Sequence, residues 1–312
     1  MSAGPLIVVV GSLNADLVVR VRRFPRAGET IEGEGFARYP GGKGANQAYA
    51  AARLGGRAAM VGLVGRDEPG SWLVEHLRGV GVDTAGVGHT ADEPTGVALI
   101  TIDAEGQNHI VLVPGANARM TAPLLARAAG PSAEAAVVLL QLEIPVETVV
   151  AAARAAQAAS ATVILDPAPA RPVPDDLLRL ADYVTPNETE LAVLTGGGTT
   201  GSMDDIRRRA GQLHARGCRR VVVKCGGTGA YLFVEGRAAL HWPPHAVDPV
   251  DTTAAGDAFN AAFAVALADG EDAAAAGRFA AAAAAVSVTR AGAQPSMPDR
   301  REVEALLAGA RP

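Results

Sequence analysis

Small residues running into an alanine-rich helix, with one carboxylate in the first turn, form the segment of this chain best suited to chemistry. It reads Asp251-Thr252-Thr253-Ala254-Ala255-Gly256-Asp257-Ala258-Phe259-Asn260. The backbone N–H groups of Ala254, Ala255 and Gly256 lie at a helix N-terminus, where they can cradle an anion with help from the helix dipole. Such a nest suits a phosphate, and Asp257 follows close to where a transferring group would sit. A carboxylate is a weak base near neutrality, yet it serves in phosphoryl transfer because the attacking hydroxyl becomes acidic as its bond to phosphorus forms. Most of the barrier then falls to positioning and to donors around the equatorial oxygens. Asp257 also has a purely structural reading, as a first-turn carboxylate that the dipole favours, so its company matters.

Three other segments supply that company. Gly41-Gly42-Lys43-Gly44-Ala45-Asn46-Gln47 is a glycine-rich turn entering a helix, without the spacing of a P-loop or of a dinucleotide fingerprint. With Asn14 and Asp16 after the first apolar run, Lys43 and Asn46 make a ring of groups able to pair with vicinal hydroxyls; alone, the turn reads as a solvated loop. Asn187 and Glu190 in Thr185-Pro186-Asn187-Glu188-Thr189-Glu190 have the spacing of a capping box. Functionally, the same spacing turns Glu190 toward a hydrated Mg²⁺, an ion that keeps its waters and touches few protein carboxylates. Glu143 stands at the C-terminal end of an apolar strand, where open α/β sheets place ligands. Lys224-Cys225-Gly226-Gly227-Thr228-Gly229 permits close backbone approach to a ligand, and a tight hairpin needs the same glycines.

The elements that must position these groups read as an α/β alternation. Continuous apolar runs at 7–10, 58–63, 137–140, 162–165 and 221–223 suit strands covered on both faces. The segments 45–54, 146–159, 204–215 and 255–268 are rich in alanine, leucine and arginine and favour helix, as does 300–307. Pro69 and Pro145 sit near helix starts, where a missing donor costs nothing. Two stretches, 17–38 and 95–113, show period two instead; the second is a hairpin with Glu105-Gly106 at its turn. They predict a small sheet, either a lid over the main body or an edge extension of its sheet. The glycine run from Gly196 to Gly201 reads as a loop.

Composition narrows the classes. With 312 residues, 49% apolar and 20% charged, the chain has ample core material and too little charge for disorder. A formal net charge of −5 argues against nucleic acid or an anionic membrane surface as the main partner. Cys218 and Cys225 have neither Cys-x-x-Cys spacing nor nearby histidines and read as two buried thiols. The apolar start is too short for a signal peptide core and the 280–286 alanine run too short for a span, so a soluble cytoplasmic protein is expected.

Taken together, the four segments resemble the ribokinase (PfkB) family of carbohydrate and nucleoside kinases, from Gly11-Ser12-Leu13-Asn14-Ala15-Asp16 through Gly292-Ala293-Gln294-Pro295-Ser296. The resemblance implies one domain over 1–312 with a three-layer ribokinase-like fold. A mostly parallel central sheet would be flanked by helices, with a small β-sheet lid formed by roughly 14–40 and 95–113 and clasped between two subunits of a homodimer. It implies transfer of phosphate from ATP to D-ribose, giving D-ribose 5-phosphate, with Asp257 as base and the N–H groups of Ala254, Ala255 and Gly256 as the anion hole. Asn14, Asp16, Gly42, Lys43, Asn46 and Glu143 would hold the sugar. Asn187, Lys224, Gly226, Gly229 and Gly256 would lie along ATP, and Glu190 would reach Mg²⁺ through water. Asp251, Thr253, Ser287, Arg290, Gly292 and Ser296 would surround an activating K⁺, several through backbone carbonyls. Three departures stand out: Lys224 where threonine is frequent, either meeting phosphate or pointing away, Ala280 where a histidine can lie near adenine, and Ala261 after Asn260 where glycine is frequent. The rival readings are a kinase for 2-deoxyribose, a hexose or a nucleoside, and a non-catalytic sugar-binding protein.

Overall fold

Five consecutive residues explain why the apolar runs are unbroken. In β1 (Leu6–Val10), Ile7 and Val9 enter one core while Leu6, Val8 and Val10 enter another. Successive side chains of a strand point to opposite faces, so a strand buried on both sides has no polar positions. The computed structural model describes residues 4–128, 134–198 and 201–310; positions 199 and 200 of the expected glycine loop lie outside the described residues.

After β1 come β2 (Asn14–Arg20), β3 (Gly35–Gly41), α1 (Lys43–Arg53), β4 (Arg57–Gly65), α2 (Glu68–Gly79), β5 (Asp83–Thr90), β6 (Gly96–Ile102) and β7 (Asn108–Val113). The middle of the chain holds α3 (Ala122–Ala128), β8 (Ala135–Leu140), α4 (Val146–Ala158), β9 (Thr162–Leu165), α5 (Asp175–Leu180), β10 (Tyr183–Val184), α6 (Glu188–Leu194) and α7 (Met203–Ala215). β11 (Arg220–Lys224), β12 (Ala230–Val234), β13 (Leu240–Trp242), α8 (Ala255–Ala268), α9 (Ala273–Ser287) and α10 (Arg300–Leu307) complete it.

Nine strands form the main sheet in the order β13-β12-β11-β10-β9-β8-β1-β4-β5, and only β12 runs against the rest. Residues of α1, α2, α8, α9 and α10 join the core on one side, and residues of α3 to α7 the core on the other. This is the expected three-layer architecture. Four strands, β3-β2-β6-β7, form a separate sheet, so the period-two stretches are a stand-off sheet and not an edge extension. β2 pairs in parallel with β6, and antiparallel pairs flank them. The expected hairpin closes at Gly106, whose positive φ of 78° suits glycine, and the Asp103 carboxylate accepts from the N–H groups of Glu105 and Gln107.

The central helix of the site is α8. Ten of its fourteen residues are buried, as an alanine-phenylalanine helix with no polar face must be. Phe259 and Phe263 stack at 6.2 Å, and Phe263 meets Tyr183 edge-on at 5.0 Å. α9 packs along it, and at Gly277 also against β13, where a Cβ would fall 1.9 Å from the Trp242 ring.

Candidate active site

The C-terminal ends of β1, β8 and β9, the N-termini of α1 and α8, and one face of the small sheet enclose a cleft of about 1110 Å³. Its lining includes Asn14, Asp16, Gly42, Lys43, Asn46, Glu143, Asn187, Glu190, Lys224, Gly226, Gly229, Ala254, Ala255, Gly256 and Asp257. Every residue expected at sugar, phosphate or nucleotide therefore borders one space. Asp251, Ser287, Arg290, Gly292 and Ser296 are not part of that wall; of the expected K⁺ set only Thr253 is.

One end of the cleft is built around Glu143. Its Oε2 accepts from Ser12 Oγ at 2.5 Å, from the Lys43 backbone N–H at 3.1 Å and from Asn14 Nδ2 at 3.3 Å. A carboxylate from β8 thus takes the place of a side-chain cap at the start of α1, where N-cap Gly42 has φ 89° and none. That φ favours glycine, and a Cβ at Gly42 would also fall 2.7 Å from the Asn14 backbone nitrogen. Asn117, which sequence reasoning missed, fixes the next turn. Its amide exchanges two hydrogen bonds with the Leu13 backbone, and its Nδ2 donates to Asn14 Oδ1 at 2.8 Å.

Asp16 lies against Gly41 across the β2–β3 pair. Burial, and then the charges of Glu143 and Asp257, push its carboxyl up to about 7. Because this folded-state value lies above the unfolded one, Asp16 supports the fold when protonated and ceases to as pH rises from about 4 through about 7. Asp16→Asn is therefore expected to raise Tm more at pH 8 than at pH 5, by about 2–6 °C for a chain this size; a scan showing equal shifts at both pH values counts against that assignment. A Cβ on Gly41 would fall 2.1 Å from Asp16 Oδ2. Gly41→Ala is accordingly expected to displace the Asp16 carboxylate; with Asp16 in its expected place at the acceptor, the acceptor KM should rise about 10–100-fold with a smaller change in kcat, as read by steady-state kinetics.

Asp257 is 3% exposed and is held by two amides of α1. Asn46 Nδ2 donates to its Oδ2 at 3.0 Å and Gln47 Nε2 to its Oδ1 at 2.9 Å. Burial raises its pKa, Lys43 opposes that, and Asp166 adds to it, leaving the pKa above the ordinary carboxylate value. Lys43 faces Asp257, Asp166, Glu143 and Glu190; burial alone would lower its pKa, but these charges outweigh that and keep it protonated. Gln294, also missed, steadies Asn46 by donating to its Oδ1 at 3.2 Å.

Before Asp257, Ala254 adopts the left-handed conformation at φ 58°, which turns the chain sharply into α8. The Ala255 N–H reaches the Thr252 carbonyl at 3.3 Å, closing that turn, while the first-turn N–H groups of Gly256 and Asp257 have no intrahelical acceptor. Lys224 points into the site: Nζ donates to Asp166 Oδ1 at 2.9 Å, and a Cβ built on Gly256 would lie 3.3 Å from it. Sequence reasoning missed Asp166, although it follows β9 as Glu143 follows β8.

Elsewhere along the cleft, Asn187 and Glu190 make the complete capping box of α6. Asn187 gives its backbone N–H to Oε2 at 2.7 Å and its Nδ2 to Oε1 at 3.0 Å. Burial, against the pull of Lys224, raises the Glu190 pKa. Beyond lie Pro244, Ala246 and Val247 on one wall and Ala281, Ala284, Ala285 and Val288 on the other. Ala280 is wholly buried in the core and is not part of that wall; one step around α9 separates it from Ala281. Outside the cleft, the two Asp251 carboxylate oxygens accept from the N–H groups of Thr253 at 2.9 Å and Gly292 at 2.8 Å, joining the two loops. The Arg290 guanidinium is bound to Glu302 instead.

The pfkB family of carbohydrate kinases matches residues 5–300. A ribokinase of Bacillus subtilis is 42% identical over 301 residues, covering 96% of this chain and 99% of the relative. A deoxyribokinase of Salmonella typhi is 36% identical over 96% of this chain and 98% of its own length. The structure of an Arabidopsis thaliana ribokinase complexed with ribose and ATP superposes with a TM-score of 0.89 at 40% identity, over 98% of this chain and 99% of that one. With a matching family over nearly its whole length and a cleft that gathers four distant segments, this chain belongs to the pfkB family of carbohydrate kinases.

Proposed function

We propose that the chain transfers the γ-phosphoryl group of ATP to the 5-hydroxyl of D-ribose, as a single kinase domain whose small sheet is a lid. The observation that carries this reading is Asp257, fixed by Asn46 and Gln47 at the N-terminus of α8 between the sugar-facing groups and the amide cradle. Asn14, Asp16, Lys43 and Glu143 pair with the sugar hydroxyls, and Glu143 has Oε1 to offer because its protein contacts use Oε2. Asp257 accepts the proton of the primary hydroxyl as the phosphoryl group moves. The N–H groups of Ala254, Gly256 and Asp257 face the transferring charge, with Lys224 beside them, whereas that of Ala255, expected in the same cradle, is engaged by the Thr252 carbonyl. Ala98, Ile100, Ile110 and Leu112, on the cleft face of the lid, exclude water from the acceptor site.

The donor set fits a magnesium ion carried on phosphates. Glu190 borders the cleft with both oxygens steered by Asn187, and no three His, Cys, Asp or Glu side chains among the described residues gather to hold a metal directly. Bound there, Mg²⁺ neutralises phosphate charge, and Glu190 reaches it through water. Oxygen donors around Asp251 likewise suit K⁺. Burial alone would raise the Asp251 pKa, but its hydrogen bonds to Thr253 and Gly292 outweigh that and keep it ionised. The Ser287 and Ser296 hydroxyls donate to Ala284 and Ala293, leaving lone pairs to offer, and Arg290 contributes its carbonyl. Holding those loops together preorganises the cradle.

Assembly and place follow the same logic. Phe36, Leu99, Val111 and Val113 are exposed on the outer face of the lid, and a second copy seated there makes the homodimer. Light scattering should give twice the chain mass, and the chain mass alone for a Leu99→Lys, Val111→Lys double variant. No helix of the described residues is long and apolar enough to cross a membrane. Burial pushes the Cys218 and Cys225 thiols up to about 12, and we assign the protein to the cytoplasm, where ATP is at hand.

A panel of ribose, 2-deoxyribose, hexoses and nucleosides in a coupled ADP-release assay tests the function. Ribose is expected to give the highest kcat/KM, with a lower rate when Na⁺ replaces K⁺. A higher value for any other acceptor overturns the assignment to ribose, ribose binding without turnover overturns catalysis, and indifference to the cation removes the K⁺ site.

A further inference from the structure

The side-chain amide of Gln47 lies between two buried carboxylates. Nε2 donates to Asp257 Oδ1 at 2.9 Å and to Asp166 Oδ2 at 3.0 Å, while Oε1 accepts from Gln141 Nε2 at 2.6 Å. A primary amide carries two hydrogens on its nitrogen, so both are used. The donor from Gln141 also selects this orientation, since the flipped amide would set an oxygen against two carboxylates and a nitrogen against a donor. Gln47 and Gln141 are wholly buried and Asp166 is 1% exposed, so the amide pair itself is closed off from solvent. From Asp166 the path continues to Lys224 Nζ, which faces the amide cradle at Gly256.

We propose that Gln47 is a positioning residue for phosphoryl transfer, locking the Asp257 carboxylate to the Asp166–Lys224 ion pair so that the base and the cation beside the phosphate cradle keep one mutual geometry. This rests on the reading of Asp257 as base. Gln47 does not line the cleft. Without its amide, Asn46 alone restrains the Asp257 carboxylate, and two buried like charges face each other with no donor between them. The charged groups facing Asp257 are Lys43 from α1, Asp16 from β2 and Asp166 after β9, with Lys224 of β11 beyond Asp166.

Gln47→Met keeps the chain length and removes both donors. In steady-state assays with the acceptor that the panel favours, kcat is expected to fall about 30–300-fold while KM for acceptor and ATP stays within about threefold. The acid limb of the kcat/KM profile should move to higher pH, because the charged form of Asp257 has lost a donor. Gln141→Met, which leaves Gln47 in place but frees its amide to turn, should show both effects in the same direction at about 5–30-fold, and it carries the test if Gln47→Met does not fold. Gln47→Glu donates only when protonated, so its activity relative to the native enzyme should recover as pH falls. A kcat within about threefold of native for Gln47→Met, or for Gln141→Met where it stands in, overturns the proposal, and so does a lowered kcat with an unmoved pH profile, the mark of a merely structural role. A native enzyme inactive on every acceptor would instead defeat the functional reading.

Discussion

Asp257→Asn is expected to lower kcat about 10³-fold or more while leaving the protein folded and at least as thermostable as the native chain. General-base assistance contributes about 10²–10⁴-fold in rate, and asparagine cannot accept the proton. The amide also has one oxygen where the carboxylate has two. Of the donors Asn46 Nδ2 and Gln47 Nε2, one then meets another donor and the group turns out of line. Stability should move the other way. Burial raises the Asp257 pKa, so its ionised form costs folding free energy at neutral pH, and a neutral amide removes that cost. Steady-state kcat with a thermal scan reads both effects; a kcat within tenfold of native would take the base role away from Asp257.

Lys43→Met should bring the second largest loss, of a different kind. Four carboxylates, those of Asp257, Asp166, Glu143 and Glu190, raise the Lys43 pKa, and the ammonium group is what makes their common burial tolerable. Removing one partner from a buried charge cluster costs about 3–5 kcal/mol, so Tm at pH 7.5 should fall. Lys43 is also the leading opponent of the upward pKa shift at Asp257. Without it the base holds its proton to higher pH, so activity should fall steeply at pH 7 and recover partly by pH 9, with kcat/KM down about 10²–10³-fold at neutrality. An unmoved pH profile would show that Lys43 does not set the state of the base.

Much of this was legible in the sequence because the informative residues carry local signals. The β9 span 162–165, the α8 span 255–268 and the α10 span 300–307 coincide with the structure, since strand runs and alanine-rich helices announce themselves by composition. β5 did not. Its Gly86 and Gly88 depress strand propensity, yet they are there because β4 packs closely, with a Cβ on Gly86 falling 2.8 Å from the Met60 carbonyl. The alanines of α9 drew notice only as a rejected membrane span, and its role as the partner of α8 depends on packing that no local pattern states. In the site, single polar residues such as Asn117, Gln141 and Gln294 have no local pattern, and their partners lie about a hundred or more positions away. Asp166 was within reach: it ends an apolar strand as Glu143 does, and the same rule about carboxyl ends of parallel strands applies to both. The capping box at Asn187–Glu190 shows the converse, because the structural reading is realised in full and does not exclude the other.

One feature of the small sheet reaches beyond chemistry to timing. Asn14, Gly41 and Gly96 pair side by side where β2, β3 and β6 meet the main body, so with the small sheet as the proposed lid, its pivot would run beside Asn14, one of the residues proposed to hold the acceptor. Asp16, two positions along β2, would then move with the lid while Glu143, after β8, would stay with the large sheet. On the proposed reading, a molecule gripped by both would act as the latch itself: its arrival would draw the lid down, and its phosphorylated form would depart only by breaking the same grip. Turnover at saturating substrate would then be paced by how fast the lid reopens, and solvent viscosity is expected to slow it even where the chemical step is fast.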